Sequence, residues 1–211
     1  YMQLDANANW WQTQPQVQQI MASFFSSNKE LITAYEYGRV DTAFTRSVAA
    51  AQYKSGISSL SIAYNTRQME CLLMNHQVFP MDSVKVRQAI RYAINVNQIS
   101  NNVYMGMTLD SDAMVPSNSW LYDDSLESTF VYNPDMARQL LEEDGWTDLD
   151  NEGPLDKIVG NDRKHLYLQL ITYEDPDNDV RYETANLIEE MLAEVGIGIS
   201  KTTAVSYQDM Q

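Results

Sequence analysis

A strand–helix–strand pattern near the end of the sequence constrains the fold more than any other feature. Residues 166–170 alternate apolar and polar side chains, as a half-buried strand does. A helical pattern covers residues 180–195, Gly196 stands where that helix should stop, and residues 197–204 form a second strand pattern. Two strands joined by one helix form a βαβ unit, in which the strands are parallel. The sequence therefore predicts an α/β fold.

Four further helical patterns precede this unit, and each has a start or stop signal. They cover residues 29–37, 84–94, 96–104 and 134–141. Asn28 and Asn133 are the expected caps of the first and the last, and Pro134 takes the first helical position of the last. Short strands are predicted at residues 17–25, 39–44, 60–64 and 71–74, the last two as a hairpin. Residues 107–131 have no period, and long irregular segments of this kind are often functional.

The charge of the chain excludes several classes of partner. Its 211 residues include 29 Asp and Glu against 14 Lys and Arg, which gives a formal charge of −15. A nucleic-acid-binding protein needs a basic surface to neutralise phosphates, and an anionic membrane surface would repel this chain. No apolar run approaches the roughly 18 residues of a membrane span. Because Cys71 is the only cysteine, an internal disulfide is impossible.

Catalytic and metal-binding patterns are weak. There is no G-x-S-x-G motif, and His76 and His165 are the only histidines that could activate Cys71. Residues 148–153 place oxygen ligands at loop positions 1, 3 and 5 and a glycine at 6, as calcium loops do. Position 12 is Val159 instead of a glutamate, so the alternative is an acidic connection between a helix and a strand. We therefore assign no cofactor and no metal, and we expect no enzymatic activity.

One acidic pair differs from the others in its setting. Glu174 and Asp175 follow a predicted strand and precede a predicted helix. In open α/β sheets, ligands bind in the crevice outside the carboxyl ends of the strands. Thirteen Tyr and four Trp add flat surfaces with a polar tip, which suit sugars, peptides and protein surfaces. These residues predict an acidic α/β binding domain.

The segment from Cys71 to Asn95 narrows this prediction, because it resembles the signature of the extracellular solute-binding proteins of peptide/nickel ABC importers. The family pattern is an apolar strand ending in Asn, then Pro-Phe-x-Asp, then Val-Arg-x-Ala-Ile-x-Tyr-Ala-Ile-Asp. Here Met81 replaces the usual Phe, and Asn95 replaces the usual Asp. Other stretches resemble the family in the same order, at residues 9–12, 35–41, 132–146 and 187–199. The acidic loop after Trp146 also resembles the family, which argues against calcium.

The resemblance implies a periplasmic-binding-protein type II fold, of which this chain is a fragment that comprises mainly the second, C-terminal lobe. Residues 1–75 are then the end of the first lobe and a hinge crossing, and residues 76–211 are the second lobe, truncated at its C-terminal end. The implied function is that of the substrate-binding component of an ABC importer. It would capture short peptides in a cleft between the lobes and deliver them to the permease. A nickel chelate, an opine or an oligosaccharide is the alternative ligand, and a sensor or scaffold without transport is the alternative role.

The resemblance also implies partners, a location and a set of ligand-binding residues. The partners are a short peptide and the ABC permease subunits, with no nucleic acid, and we expect a monomer. The location is extracytoplasmic, as a periplasmic protein or a cell-surface lipoprotein whose signal and anchor lie outside this sequence. The candidate ligand-binding residues are Asn75, His76, Tyr104, Pro116, Ser117, Trp120, Tyr173, Glu174 and Asp175. Each has a structural alternative, since Asn and Pro in such loops also shape turns.

Overall fold

Helices and paired strands both occur along the chain, as the α/β prediction requires. The computed structural model describes residues 1–64, 66, 68–111, 115, 119–123, 125, 130–173, 179–206 and 208, with the backbone alone at 201–205. The helices are α1 (Asn28–Glu36), α2 (Val84–Ala93), α3 (Val96–Asn102), α4 (Pro134–Glu143) and α5 (Val180–Glu194). The strands are β1 (Met2–Asp5), β2 (Gln19–Ala22), β3 (Asp156–Val159), β4 (Asp162–His165), β5 (Tyr167–Tyr173) and β6 (Gly198–Val205). A 3₁₀ helix spans Val48–Tyr53. No helix of the described residues is both long and apolar enough to span a bilayer.

The chain divides into two compact units, residues Tyr1–Ala50 and Ala51–Gln211. In the first unit, β1 and β2 form a two-stranded antiparallel sheet in which Met2 lies opposite Ala22. The apolar side chains of these strands, among them Leu4 and Ile20, are largely exposed within this chain. This small sheet therefore contributes little buried apolar surface of its own.

The cap of α1 differs from the prediction, because Ser27 takes the position expected of Asn28. The Ser27 hydroxyl accepts a hydrogen bond from the Glu30 backbone N–H at 3.2 Å. The Glu30 carboxylate in turn accepts a hydrogen bond from the Ser26 hydroxyl at 2.7 Å. The helix begins one residue early because this serine pair satisfies its first turn, and the Asn28 side chain instead accepts a hydrogen bond from Thr45 at 2.8 Å.

The second unit contains the predicted βαβ arrangement. β5 and β6 are parallel, with Tyr167 opposite Gly198 and Tyr173 opposite Val205, and α5 makes the crossover between them. Gly196 follows α5 with a φ of +83°, and a Cβ atom at this position would lie 2.6 Å from Leu155 Cγ. The glycine thus permits both the sharp helix end and the close approach of the Leu155 side chain.

One buried cluster joins α2, α4 and the βαβ unit. Of the five apolar residues of α2 predicted to face inward, Val86, Ala89, Ile90 and Ala93 are in it, whereas Val84 is 56% exposed. The other members include Ala137, Leu141, Trp146, Leu166, Ile188, Met191, Leu192 and Ile197. At the junction of α2 and α3, the Asn95 N–H donates a hydrogen bond to the sulfur of Met191 at 3.3 Å. Helical periodicity of the apolar residues therefore predicts most of the helical part of this core.

Three strand predictions are wrong, β2 lies within the strand predicted at residues 17–25, and β1, β3 and β4 were missed. No strand forms at residues 39–44, 60–64 or 71–74, all of which the structure describes. Their alternating apolar side chains find no partner strand in the described part of the chain, and Leu60, Ile62 and Leu73 are exposed. The antiparallel pair of β3 and β4 was missed because its residues are mostly charged.

The buried cluster gives a first prediction. Leu141 is fully buried in α4, whereas Leu149 is about half exposed, at 51%. Because Leu141→Ala leaves a cavity between α4 and α2, it should lower the free energy of unfolding by about 2–5 kcal/mol. Leu149→Ala removes the same atoms from an exposed site and should change it by less than about 0.5 kcal/mol. Urea denaturation followed by circular dichroism measures both, and equal losses would contradict the assignment of the core.

Candidate functional site

The predicted ligand-binding residues fall into two groups with respect to the structure. Asn75, His76, Tyr104, Trp120 and Tyr173 lie within the described residues. Pro116, Ser117, Glu174 and Asp175 lie outside them. The first group and the side chains that surround it therefore define the described part of the site.

Tyr104 and Tyr173 are placed by the ends of two regular elements. Tyr104 lies in the turn that closes α3, where its N–H donates to the Ile99 carbonyl and the Gly106 N–H donates to the Ser100 carbonyl. Tyr173 is the last residue of β5, so it stands at the carboxyl end of a parallel strand. This is the edge at which α/β sheets bind ligands.

Arg181 and Glu70 complete a cluster with these two tyrosines. Arg181 is the second residue of α5, and its Cζ atom lies 4.3 Å from the centroid of the Tyr173 ring. Its Nη2 donates to Glu70 Oε1 at 2.6 Å, and its Nε donates to Glu70 Oε2 at 3.1 Å. The guanidinium is therefore paired edge-on with a carboxylate while one face rests on an aromatic ring. We call these four residues the Tyr104–Arg181 cluster.

The Glu70–Arg181 pair is only partly shielded from solvent. The Arg181 side chain is 20% exposed and the Glu70 side chain is 51% exposed. Ion pairs with exposed partners contribute about 1 kcal/mol or less to stability, because water and salt screen them. The pair is thus accessible to a ligand, and its contribution to folding is small.

The electrostatic setting of Tyr104 follows from its burial and from this ion pair. Burial raises the pKa of Tyr104, and the charge of Glu70 acts in the same direction, while Arg181 opposes the rise. The nearby Thr184 hydroxyl also opposes the rise in the pKa of Tyr104. The Thr184 oxygen is buried and has no hydrogen bond of ordinary geometry to a described residue. The Tyr104 phenol therefore stays protonated at neutral pH and can donate a hydrogen bond.

The other described candidates are not brought to this cluster. Asn75 is exposed, and its Oδ1 accepts a hydrogen bond from the Gln77 N–H at 3.0 Å, which is the turn-shaping role of such a residue. His76 is exposed, and Trp120 is 90% exposed. Within the described part of the chain, no hydrogen bond or ring contact links these three to Tyr104 or Tyr173.

Nearly the whole chain matches a known family. Residues 1–209 match the family described as bacterial extracellular solute-binding proteins, family 5 Middle. The chain belongs to this family. A Brucella ovis protein with the provisional name of ABC transporter peptide-binding protein is 28% identical over 207 residues, which are 96% of this chain and 35% of that protein. The family-5 chain thus spans about a third of the length of this relative.

Solved structures show the same fold. The Bacillus subtilis oligopeptide-binding protein AppA, in complex with a nonapeptide, matches with a TM-score of 0.68 and 23% identity, over 99% of this chain and 40% of AppA. Brucella suis NikA, in complex with Fe(III)-EDTA, matches with a TM-score of 0.74 and 19% identity, over 99% of this chain and 41% of NikA. The family resemblance and the α/β fold of the family-5 chain are therefore confirmed.

Sequence reasoning missed Glu70 and Arg181. Arg181 lies in the first turn of the helix that follows the predicted Glu174–Asp175 loop. The rule that ligands bind outside the carboxyl ends of strands could therefore have identified it. Glu70 gives no local signal, because it lies 111 residues from Arg181 in the sequence and precedes a segment that was predicted as a strand. Only the folded chain brings the two together.

An arginine of the family-5 chain lies among the carboxylates of its acidic loop. Carboxylate oxygens of Asp148, Asp150 and Asp156 lie within 4.8 Å of one another. The Arg163 guanidinium donates hydrogen bonds to both Asp150 and Asp156, and His165 Nδ1 lies 2.6 Å from Asp156 Oδ1. Because a guanidinium already bridges two of the three carboxylates, this geometry favours the acidic connection over a calcium loop.

An open depression of about 480 Å³ lies elsewhere in the second unit. It is lined by the ends of α4 and α5 and by the loop that follows Trp146. Arg138 borders it and donates to the Glu194 carbonyl at 3.1 Å. The depression contains none of the predicted ligand-binding residues, so the Tyr104–Arg181 cluster remains the candidate site.

The buried carboxylate of Asp156 gives a prediction about pH. The hydrogen bond from Arg163 lowers the pKa of Asp156 below 3.8, against the effect of desolvation. Its stabilising contribution is therefore complete above the ordinary carboxyl pKa and is lost as the pH falls through the lowered value. Asp156→Asn should be less stable than the wild type at about pH 7, and the difference should shrink at about pH 3.

Thermal unfolding across this pH range measures the effect. Asp162→Asn, in the neighbouring strand β4, is the control, because its exposed carboxylate should contribute less than about 0.5 kcal/mol. A gap between Asp156→Asn and the wild type that stays constant from neutral to acid pH would show that the ionised form of Asp156 is not the stabilising species.

Proposed function

We propose that this chain is part of the substrate-binding component of an ABC importer, which captures short peptides in a cleft between two lobes and delivers them to the permease. The observation that carries the proposal is the convergence of Tyr104, Tyr173 and Arg181 at the carboxyl end of β5. Family membership supports it, as do the names of the Brucella ovis relative and of AppA. Binding alone explains this set of residues, and we propose no catalytic role.

The chemistry of the cluster suits a peptide. A peptide backbone offers one donor and one acceptor at each residue, and protonated phenols can serve both. Flat aromatic faces accommodate varied side chains, and ordered water can fill the gaps between them. These properties favour a site that holds the backbone firmly and the side chains loosely.

The proposal extends to the organisation and location of the protein. Residues 1–75 are proposed to form the end of the first lobe and the hinge crossing. Residues 76–211 are proposed to belong to the second lobe. The protein is proposed to act as an extracytoplasmic monomer, either periplasmic or anchored as a cell-surface lipoprotein. Its partners are proposed to be the subunits of the cognate permease.

A different ligand class is the second candidate. NikA, which shares the fold, was solved with Fe(III)-EDTA, so a metal chelate is compatible with this architecture. An opine, an oligosaccharide or a sensor role without transport are the remaining alternatives. Peptides stay the first choice because the Brucella ovis relative, which covers 96% of this chain, is named for peptide binding.

Thermal unfolding of the full-length protein tests the ligand class. A mixed pool of short peptides, a nickel chelate and an oligosaccharide would each be added separately. A peptide present at 100 times its dissociation constant should stabilise the native state by about 2.7 kcal/mol. Stabilisation by the chelate or the sugar, with none by peptides, would replace the peptide assignment.

Tyr104→Phe tests the site. Removing this hydroxyl deletes one hydrogen bond of about 0.5–1.5 kcal/mol, so peptide affinity should fall by about two- to tenfold. Tyr182→Phe on the exposed face of α5 is the matched control and should leave affinity unchanged. Titration calorimetry measures both variants, and unchanged affinity in Tyr104→Phe would exclude its hydroxyl from the binding site.

The remaining predicted residues are tested by the same titration. Trp120→Ala and Glu174→Gln should weaken peptide binding if these positions face the cleft. Intact binding in both variants would remove them from the site and would leave the family assignment untouched.

A further inference from the structure

The Tyr104–Arg181 cluster contains its own counter-ion. The carboxylate of Glu70 meets the guanidinium of Arg181 through two hydrogen bonds, at 2.6 and 3.1 Å. Because these bonds use the Nε and Nη2 edge of the guanidinium, the pair has the bidentate form that most favours a carboxylate partner. Glu70 thereby supplies a counter-charge to Arg181, at the start of α5, from within the chain.

We infer that Glu70 determines the charge preference of the ligand site by holding Arg181 in this neutral pair. The inference rests on the proposed function, in which the Tyr104–Arg181 cluster faces the ligand. A ligand group that carries a negative charge must displace Glu70 from Arg181 or be repelled by it. A neutral group can bind beside the intact pair without either cost.

The position of Arg181 makes rearrangement of the pair unfavourable. Its guanidinium lies 4.3 Å from the centroid of the Tyr173 ring, so it cannot follow an incoming anion without giving up this contact. The Arg181 side chain is only 20% exposed, which limits the rotamers open to it. Displacement of Glu70, whose side chain is half exposed, is therefore the change that an anionic ligand requires.

The charges of Glu70 and Arg181 also act on the uncharged hydroxyl of Tyr104. Glu70 and Arg181 act in opposite directions on the pKa of Tyr104, so both lie close enough to influence a ligand bound at its hydroxyl. With Glu70 neutralised, its negative charge would no longer oppose that of Arg181 there. The same substitution should then make the site more favourable to an anion.

The test compares ligands that differ only in charge. The full-length protein and its Glu70→Gln variant would be titrated with a short peptide as the free C-terminal acid and as the C-terminal amide. A second pair of peptides, which differ by Glu or Gln at an internal position, covers an anionic group placed elsewhere. The preference for the acidic member over the neutral member should rise by about tenfold in Glu70→Gln for at least one pair.

Three further variants separate this role from a structural one. Arg181→Gln alone and the double variant Glu70→Gln/Arg181→Gln complete a double-mutant cycle. Because Glu70 acts through Arg181, the rise in preference should vanish in the double variant. Glu70→Asp keeps the carboxylate and should retain a preference close to that of the wild type.

The outcomes distinguish the inference from the proposal beneath it. If the wild type binds peptides and Glu70→Gln changes affinity for acidic and neutral members equally, the inference is overturned and the proposed function stands. A rise in preference that persists without Arg181 would also overturn it. If the wild type binds none of the peptides, the proposed function fails and the inference fails with it.

Discussion

The parallel pairing of β5 with β6 is the constraint on which the rest of the second unit depends. Parallel neighbours cannot be joined by a tight turn, so the chain has to cross the sheet through α5. One face of that helix supplies Ile188, Met191 and Leu192 to the core shared with α2 and α4. Its first turn returns Arg181 to the edge where β5 ends at Tyr173. The same crossover helix therefore supplies part of the core along one face and part of the candidate site at its start.

Where carboxylates are shielded from water, nearby donors stabilise their charged form. Burial disfavours ionisation of Asp144, yet hydrogen bonds from Lys157, Ser83 and the Trp146 indole together lower its pKa. Asp156 is held in the same way by Arg163, with His165 beside it. In both places a cation and a neutral donor share one carboxylate, which lowers the cost of burying it, although Asp156 Oδ1 itself has no hydrogen bond to a described residue. Glu70 differs from these two carboxylates, because its partner Arg181 belongs to the candidate ligand-binding site.

Periodicity in the sequence predicted the parts of the structure that follow from amphipathic patterns. The stripe of α2, the Asn133–Pro134 start of α4 and the crossover of α5 were predicted, because each is encoded within a few turns of helix. The β3–β4 pair could not be predicted this way, since charged contacts around Asp156 hold it and no apolar alternation marks it. The same distinction, between local patterns and tertiary contacts, applies to the residues of the candidate site. Tyr104 and Tyr173 lie at predicted element ends, whereas Glu70 joins Arg181 only through tertiary folding.

The small sheet of β1 and β2 has a practical consequence for any preparation of this chain. Two strands alone bury too little to be stable in water, and here Leu4, Ile20 and Met21 remain exposed. Unsatisfied backbone groups along such strands readily pair with strands of other molecules. In concentrated solution, residues 1–50 should therefore drive self-association of the isolated chain, and low protein concentration or a solubilising fusion partner should limit precipitation.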